Sequence, residues 1–336
     1  MMAKLQLPNY PPVHGLRVPA AAMFELVSEL FVNVGMSSSD AALTASLLVQ
    51  CDLRCTFSHG TRHAPEYMRK ILEGKVNPKP VVQVVNENQT STVIDGDGGL
   101  GFIPSYRGAE IAIVKAREVG MGATTTRNHF HFGAAGIYSR MGLEHDCIGM
   151  AFSSVRYAFN PEDSVLRAAG ASPVSIAVPA GEGPPLVLDM AANMLPDDPE
   201  LLEQFPKVFF KSLGIGAVLH ALGGVLAGIW RPELQSPPSP WEATQGSFVL
   251  FFSVSGFMPV DEFRRSMDDY AAKASRMQPF PGTDRAVLPG GMEWHWEKEN
   301  RRDGIPVSPE HQKTLETMAA ELKVTTPFTQ CEPSRF

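Results

Sequence analysis

Ser91-Thr-Val-Ile-Asp-Gly-Asp-Gly-Gly-Leu-Gly101 is the stretch whose reading decides the fold. Ser91 to Asp95 is rich in β-branched residues and a helical pattern runs from Ser105 to Val119. The glycines between them therefore satisfy G-x-G-x-x-G in the strand-to-helix context of a dinucleotide fingerprint. That fingerprint also needs a second, parallel strand ending in an acid about twenty residues on. The acid near that distance, Glu118, falls inside the helix, so the glycines read as a turn in preference to a Rossmann site.

Outward from the turn, the pattern is mixed. Val82 and Val84 make a strand that pairs with Ser91 to Asp95 as a hairpin around Asn86 to Gln89. Further strands are expected at Gly122 to Thr126, Ile148 to Ser153, Val174 to Val178, Leu186 to Asp189 and Phe248 to Val254. Leu213 to Ile229 reads as a buried helix, too short and too broken by glycine to span a membrane. Gln235 to Pro240 is a Pro/Ser-rich loop, and helices follow over Val260 to Met277 and His311 to Leu322.

The first eighty residues are helical. Met23, Leu26, Val27, Leu30, Phe31 and Val34 recur at helical spacing until Gly35 stops them. Ser37 to Asp40 offer N-caps for a helix through Cys51, and Pro65 opens a third that ends near Gly74. The chain thus reads as a helical part over 1–80, a mixed central part over 81–260 and a helical part over 261–336.

Composition narrows the function. With 336 residues, 44% hydrophobic and 19% charged, the chain is neither disordered nor fibrous. A net charge of −7 without like-charged blocks gives no footprint for nucleic acid, which leaves small molecules or proteins as partners. Cys51, Cys55, Cys147 and Cys331 are too few for a disulfide framework, so a reducing cytosol is expected. Met1 to Pro12 lacks the basic start and apolar run of a secretion signal.

Several polar residues could carry chemistry. Ser58-His59-Gly60 lies between two helices with Arg54 before it and Arg62 and His63 after; an imidazole there can exchange a proton while a hydroxyl or carboxylate fixes its tautomer. His129 and His131, two apart at a strand end, would face one side, and with His59 and His63 their spacing resembles metal ligands; the non-metal reading carries more weight. Asp189 ends an apolar strand, where it could brace a histidine or act as a cap. Lys211, near the N-terminal end of the glycine-rich helix, could meet a phosphate or carboxylate or be a solvated surface lysine.

Taken together, Asp52-Leu-Arg54 with Ser58-His-Gly60, Asp95 to Gly101, Arg127-Asn128 with His131-Phe-Gly-Ala-Ala-Gly136, Leu188-Asp-Met-Ala191 and Pro306 after Gly304-Ile305 resemble, over residues 20 to 325, the malate/L-lactate dehydrogenase family. The resemblance implies an α/β, non-Rossmann three-layer fold with a mixed, largely antiparallel sheet and a smaller helical domain that the parts 1–80 and 261–336 make together. It also implies a cytoplasmic homodimer using NAD or NADP on a small-molecule carboxylate, with no nucleic acid and no membrane. His59 becomes the proton donor or acceptor, Ser58 and Asp189 its relay, and His131 the second histidine. Arg54, Arg62, His63 and His129 would line the substrate, and Lys211, Phe132, Gly133, Ser172 and Gly290 the cofactor; no metal is required.

Departures from the family pattern are concentrated at that site. His63 stands four positions after His59, where the family usually has a substrate-binding arginine. Only 22 positions separate Asp189 from Lys211, where relatives carry a longer segment. Two alternatives follow: a repurposed member with non-redox, possibly metal-assisted chemistry at His59, His63, His129 and His131, or a catalytically inactive binding protein.

Overall fold

A computed structural model describes residues 10–170, 172–234, 241 and 243–336. The expected loop at Gln235 to Pro240 lies outside the described residues, as does most of Met1 to Pro12. In chain order the elements are β1 (His14–Val18), α1 (Ala20–Asn33), α2 (Ser38–Leu53), α3 (Ala64–Leu72), β2 (Gln83–Glu87), β3 (Ser91–Asp95), α4 (Phe102–Val119) and β4 (Met121–His129). Then come α5 (Ala135–Ser139), β5 (Cys147–Val155), β6 (Pro173–Val178), β7 (Leu186–Ala191), α6 (Pro199–Gln204) and α7 (Pro206–His220). The chain ends with β8 (Gln245–Ser253), α8 (Val260–Ala274), α9 (Gly291–Asp303), β9 (Ile305–Val307), α10 (Pro309–Leu322) and β10 (Pro333–Arg335).

These elements form two compact units. The first comprises the chain through Lys79, Ala180–Leu186 and Arg264–Phe336; the second comprises Pro80–Pro179 and Val187–Phe263. In the first unit α1 buries Met23, Leu26, Val27, Leu30 and Phe31, the stripe that its spacing dictates, and Gly35 takes φ 103° just past the helix end. Ser37 caps α2 by accepting the Asp40 N–H at 3.2 Å. A small sheet in the order β10-β1-β9 joins the two ends of the chain. Its short strands carry no alternation, and sequence reading missed them. The Ala180–Leu186 excursion is tied to α8 by Asp268, whose carboxylate accepts the N–H groups of Gly181, Glu182 and Gly183.

The second unit is built on a seven-stranded sheet in the order β2-β3-β4-β8-β5-β6-β7. β3 and β4 pair in parallel, across α4; the pairs of β2 with β3, β4 with β8, β5 with β8 and β5 with β6 are antiparallel. Small residues on α4, namely Ser105, Gly108, Ala109, Ala112 and Ala116, are buried and let the helix sit close on one face. Ser247 of β8 points to that helix and meets Ser105 Oγ at 2.9 Å. By strand alternation Phe248 points to the other face, where it stacks on Phe152 at 5.9 Å and packs with Leu219 and Leu222 of the α7 layer. Helix, sheet and helix make the three layers.

The glycine turn is filled by the protein itself. Gly96 N–H reaches Arg127 O at 2.9 Å, Gly98 N–H reaches Asn128 O at 2.8 Å, and Gly101 N–H reaches His131 O at 3.0 Å. Asp97 N–H goes to Asp95 Oδ1 and Gly99 N–H to Gly96 O, both at 3.0 Å. These amides, which a Rossmann loop would turn toward a pyrophosphate, are thus committed to other acceptors. The turn runs straight into α4, which starts at Phe102 and so three residues before the expected Ser105.

The helix expected at Leu213 to Ile229 differs in extent and exposure. It begins at Pro206 and continues through a π turn to Val225, and this 20-residue stretch passes, by length and composition alone, as a candidate membrane span. Only Phe209, Gly216, Leu219 and His220 of α7 are buried, while Phe210, Val218 and Leu226 are exposed. Glycine lets backbones approach on one side; it does not bury the other.

A Cβ at Gly101 would lie 2.6 Å from both His129 Nδ1 and Phe130 O. Gly101→Ala should therefore lower unfolding stability in urea by about 2 kcal/mol or more, as overpacking against backbone does.

Candidate active site

Each unit carries its own share of the expected residues. In the first, α2 ends in a turn that reverses through Cys55, held at φ 58°, and leads into Phe57–His59 and Thr61–His63, two single 3₁₀ turns. His59 N–H bonds Thr56 O at 3.0 Å and His63 N–H bonds Gly60 O at 3.0 Å. This puts Ser58 Oγ 3.0 Å from His59 Nδ1 and the His63 ring 6.5 Å from the His59 ring. Burial, helped by His63, holds the His59 imidazole below its ordinary range, so it is neutral at pH 7. A neutral, oriented imidazole at hydrogen-bond distance from a hydroxyl is equipped to exchange a proton.

The cationic neighbours already have partners. Arg54 Nε bonds Glu297 of α9 at 2.7 Å, and Arg301 holds the same carboxylate at 2.6 Å. These cations keep Glu297 ionised by pulling its carboxyl below the ordinary range against the opposing effect of burial. Arg62 pairs with Glu310 at 2.7 Å on the surface, and His63 Nδ1 lies 3.4 Å from Glu66. Gly290, with φ 88°, caps α9.

In the second unit β4 ends at His129, and Asn128 just before it takes a left-handed φ of 53°. That conformation breaks the alternation on which a shared face for His129 and His131 depends. His129 is fully buried, with Nε2 2.8 Å from Thr126 Oγ1 and Nδ1 2.7 Å from Phe130 O. It closes a hydroxyl chain through Thr126 and Ser247 to Ser105. His129 is thus a packing group and not a substrate contact. His131, half-buried, accepts the Gly133 N–H at 3.4 Å through Nδ1.

Asp189 is exposed, and its Oδ2 accepts the Gly136 N–H at 3.0 Å, at the start of α5. Lys211 is exposed on the second turn of α7 and not at a helix N-terminus, because the helix starts at Pro206. Gly133, φ 81°, is buried, and a Cβ there would fall 2.4 Å from the Phe102 ring, so the protein and not a ligand requires this glycine; Phe132 is buried against Tyr138 and Ser172 is buried with its hydroxyl on Ser154. Of these residues Lys211, an exposed ammonium, is the one whose chemistry fits a dinucleotide phosphate. Among the described residues no three His, Cys, Asp or Glu side chains come together as a metal site.

Sequence reading overlooked His220, whose Nδ1 lies 2.6 Å from Ser154 Oγ. Trp230 Nε1, a donor only, bonds His220 Nε2 at 3.2 Å. The proton therefore sits on Nδ1 and is donated to Ser154, so this serine is not activated as a nucleophile.

Comparison with known proteins agrees with this architecture. The sequence model of the malate/L-lactate dehydrogenase family matches residues 18–198 and 196–316, two pieces that meet inside the short Asp189 to Lys211 stretch. Malate dehydrogenase of Pyrococcus horikoshii is 26% identical over 92% of this chain and 96% of its own length. L-sulfolactate dehydrogenase of Methanocaldococcus jannaschii is 28% identical, covering 89% of this chain and 95% of that protein. The solved structure of the Pyrococcus horikoshii enzyme superposes with a TM-score of 0.80 at 25% identity, over 94% of this chain and 98% of that one.

Burial pulls His129 down to about 4, below the 6.5 it has when unfolded. Its folded-state contribution is complete above pH 6.5 and is lost as pH falls toward 4. Unfolding free energy followed by chemical denaturation should drop by about 3 kcal/mol from this group across that interval. His129→Gln should flatten that part of the slope.

Proposed function

The chain belongs to the malate/L-lactate dehydrogenase family, and on that premise we propose that it is an NAD(P)-dependent oxidoreductase acting on a small 2-oxo or 2-hydroxy acid or a cyclic imino acid. The observation that carries this reading is the neutral His59 imidazole with Ser58 Oγ at 3.0 Å. In the oxidative direction His59 takes the proton from the substrate hydroxyl or amine; in the reductive direction it returns that proton. Ser58 fixes the ring's orientation. The nicotinamide, when bound, gives or receives the hydride.

Carboxylate recognition falls to Arg62 and His63, with Arg54 held in reserve by Glu297; a forked guanidinium and an imidazole both suit an acid group. Lys211 is the proposed cofactor contact, its exposed ammonium suited to a phosphate. Four free thiols, three of them buried, suit a reducing cytoplasm. The exposed apolar side chains Phe210 and Val218 of α7, with Leu226 beyond its end, suit coverage by a second copy of the chain in a homodimer.

Titration with NADH and NADPH, followed by nicotinamide fluorescence, should show saturable binding of at least one; binding of neither defeats the proposal. Against a set of 2-oxo acids and cyclic imines, His59→Gln should lower kcat by about 100-fold or more, with nucleotide affinity kept. Sedimentation should give twice the chain's mass, reduced to one chain by Phe210→Ser with Val218→Ser.

A further inference from the structure

A buried polar chain lies under the Ser58-His59-Gly60 turn and takes no part in the chemistry described above. Asp52 of α2 is fully buried, and both its carboxylate oxygens face the Thr61 N–H, at 3.3 and 3.2 Å. The Thr61 hydroxyl donates to Asp52 Oδ2, and its oxygen, Thr61 Oγ1, lies 2.8 Å from His311 Nε2 of α10. The His311 ring, also buried, meets the edge of Phe57, at 6.3 Å between centroids. A Cβ on Gly60 would fall 1.8 Å from Asp52 Oδ1, so the backbone passes directly over the carboxylate. Phe57, Gly60 and Thr61 are thus held from beneath by two helices, and the residues between them are Ser58 and His59.

The direction of the chain follows from its chemistry. An ionised carboxylate only accepts, so the Thr61 hydroxyl proton points at Asp52 and the hydroxyl oxygen accepts the Nε2–H of His311. If Asp52 takes up a proton, the bonds from the Thr61 N–H and hydroxyl lose their charge assistance, and the hold of Asp52 on Thr61 weakens while the His311 Nε2–H still donates to the hydroxyl oxygen.

We propose that Asp52, Thr61 and His311 are positioning residues that set the orientation of the His59 ring, and that the protonation state of this chain is transmitted to His59 through the Gly60-Thr61 backbone. The role given to His59 rests on the reading above. Two conditions favour the transmission. Burial lifts Asp52 to about 7 and pushes His311 down to about 3, so near neutrality Asp52 changes state while His311 stays neutral. The other charged or titratable groups at hand are Cys55 beside Asp52, Arg17 and Glu293 around Cys55, and Arg62 and His63 beside His311.

The experiment is a pH titration of the histidine ring resonances of the full chain by NMR, with His59 assigned from its loss in His59→Gln. Wild type should show two inflections at His59, its own and one near pH 7; Asp52→Asn, nearly isosteric, should show one. A single inflection in both proteins overturns the proposal. Thr61→Val should lower kcat by about 10-fold with KM little changed, and Thr61→Ser should restore it. If Asp52→Asn does not fold, Thr61→Val against Thr61→Ser carries the same titration. Two inflections without turnover on any acid would retain the positioning chain and reject the oxidoreductase reading; full turnover in a folded Thr61→Val protein would reject the positioning chain alone.

Discussion

The backbone amides of the glycine turn, bonded to the carbonyls of Arg127, Asn128 and His131, are the constraint from which the second unit follows. Buried peptide groups must find partners, and here they find them in the strand that comes back after α4. The pairing fixes the parallel pair of β3 and β4, sets where β4 stops, and drives His129 inward to complete the hydroxyl chain from Ser105. It also closes the turn to phosphate. A sequence that satisfies the dinucleotide pattern letter by letter therefore has the opposite use for its amides.

Polar groups are handled alike in both units, by running hydroxyls between a buried ionisable group and the backbone. Thr126 does this for His129, and Thr61 does it for Asp52 and His311. In one case the result is inert packing. In the other the chain ends under a surface turn that carries an imidazole, so the same arrangement is coupled to a group able to react.

Much of the fold was legible because it rests on local periodicity. The Met23 to Phe31 stripe, the Ser37 cap and the strand at Ser91 to Asp95 all follow from side-chain spacing. The strands β1, β9 and β10 were not legible, since two of them are only three residues long and their pairing is between distant parts of the chain. The Ser58-His59 contact could be read from adjacency. His129 could not, because the left-handed Asn128 that turns it inward leaves no mark in the pattern. The placement of Lys211 failed for a related reason: glycines suggested a helix that begins at Leu213, but it starts at Pro206, seven residues earlier. Asp52 and His311 lie far apart in sequence, and nothing local links them.

The backbone passes from one unit to the other at 79/80, at 179/180, at 186/187 and at 263/264. Neither unit is therefore a continuous piece of gene. A fragment that stops before Arg264 cannot deliver the first unit whole, whereas residues 80–263 carry all of the second together with the short piece 180–186 that the Asp268 clasp secures in the first. Recombination can therefore exchange the second unit as one segment, but the first only by replacing sequence on both sides of it.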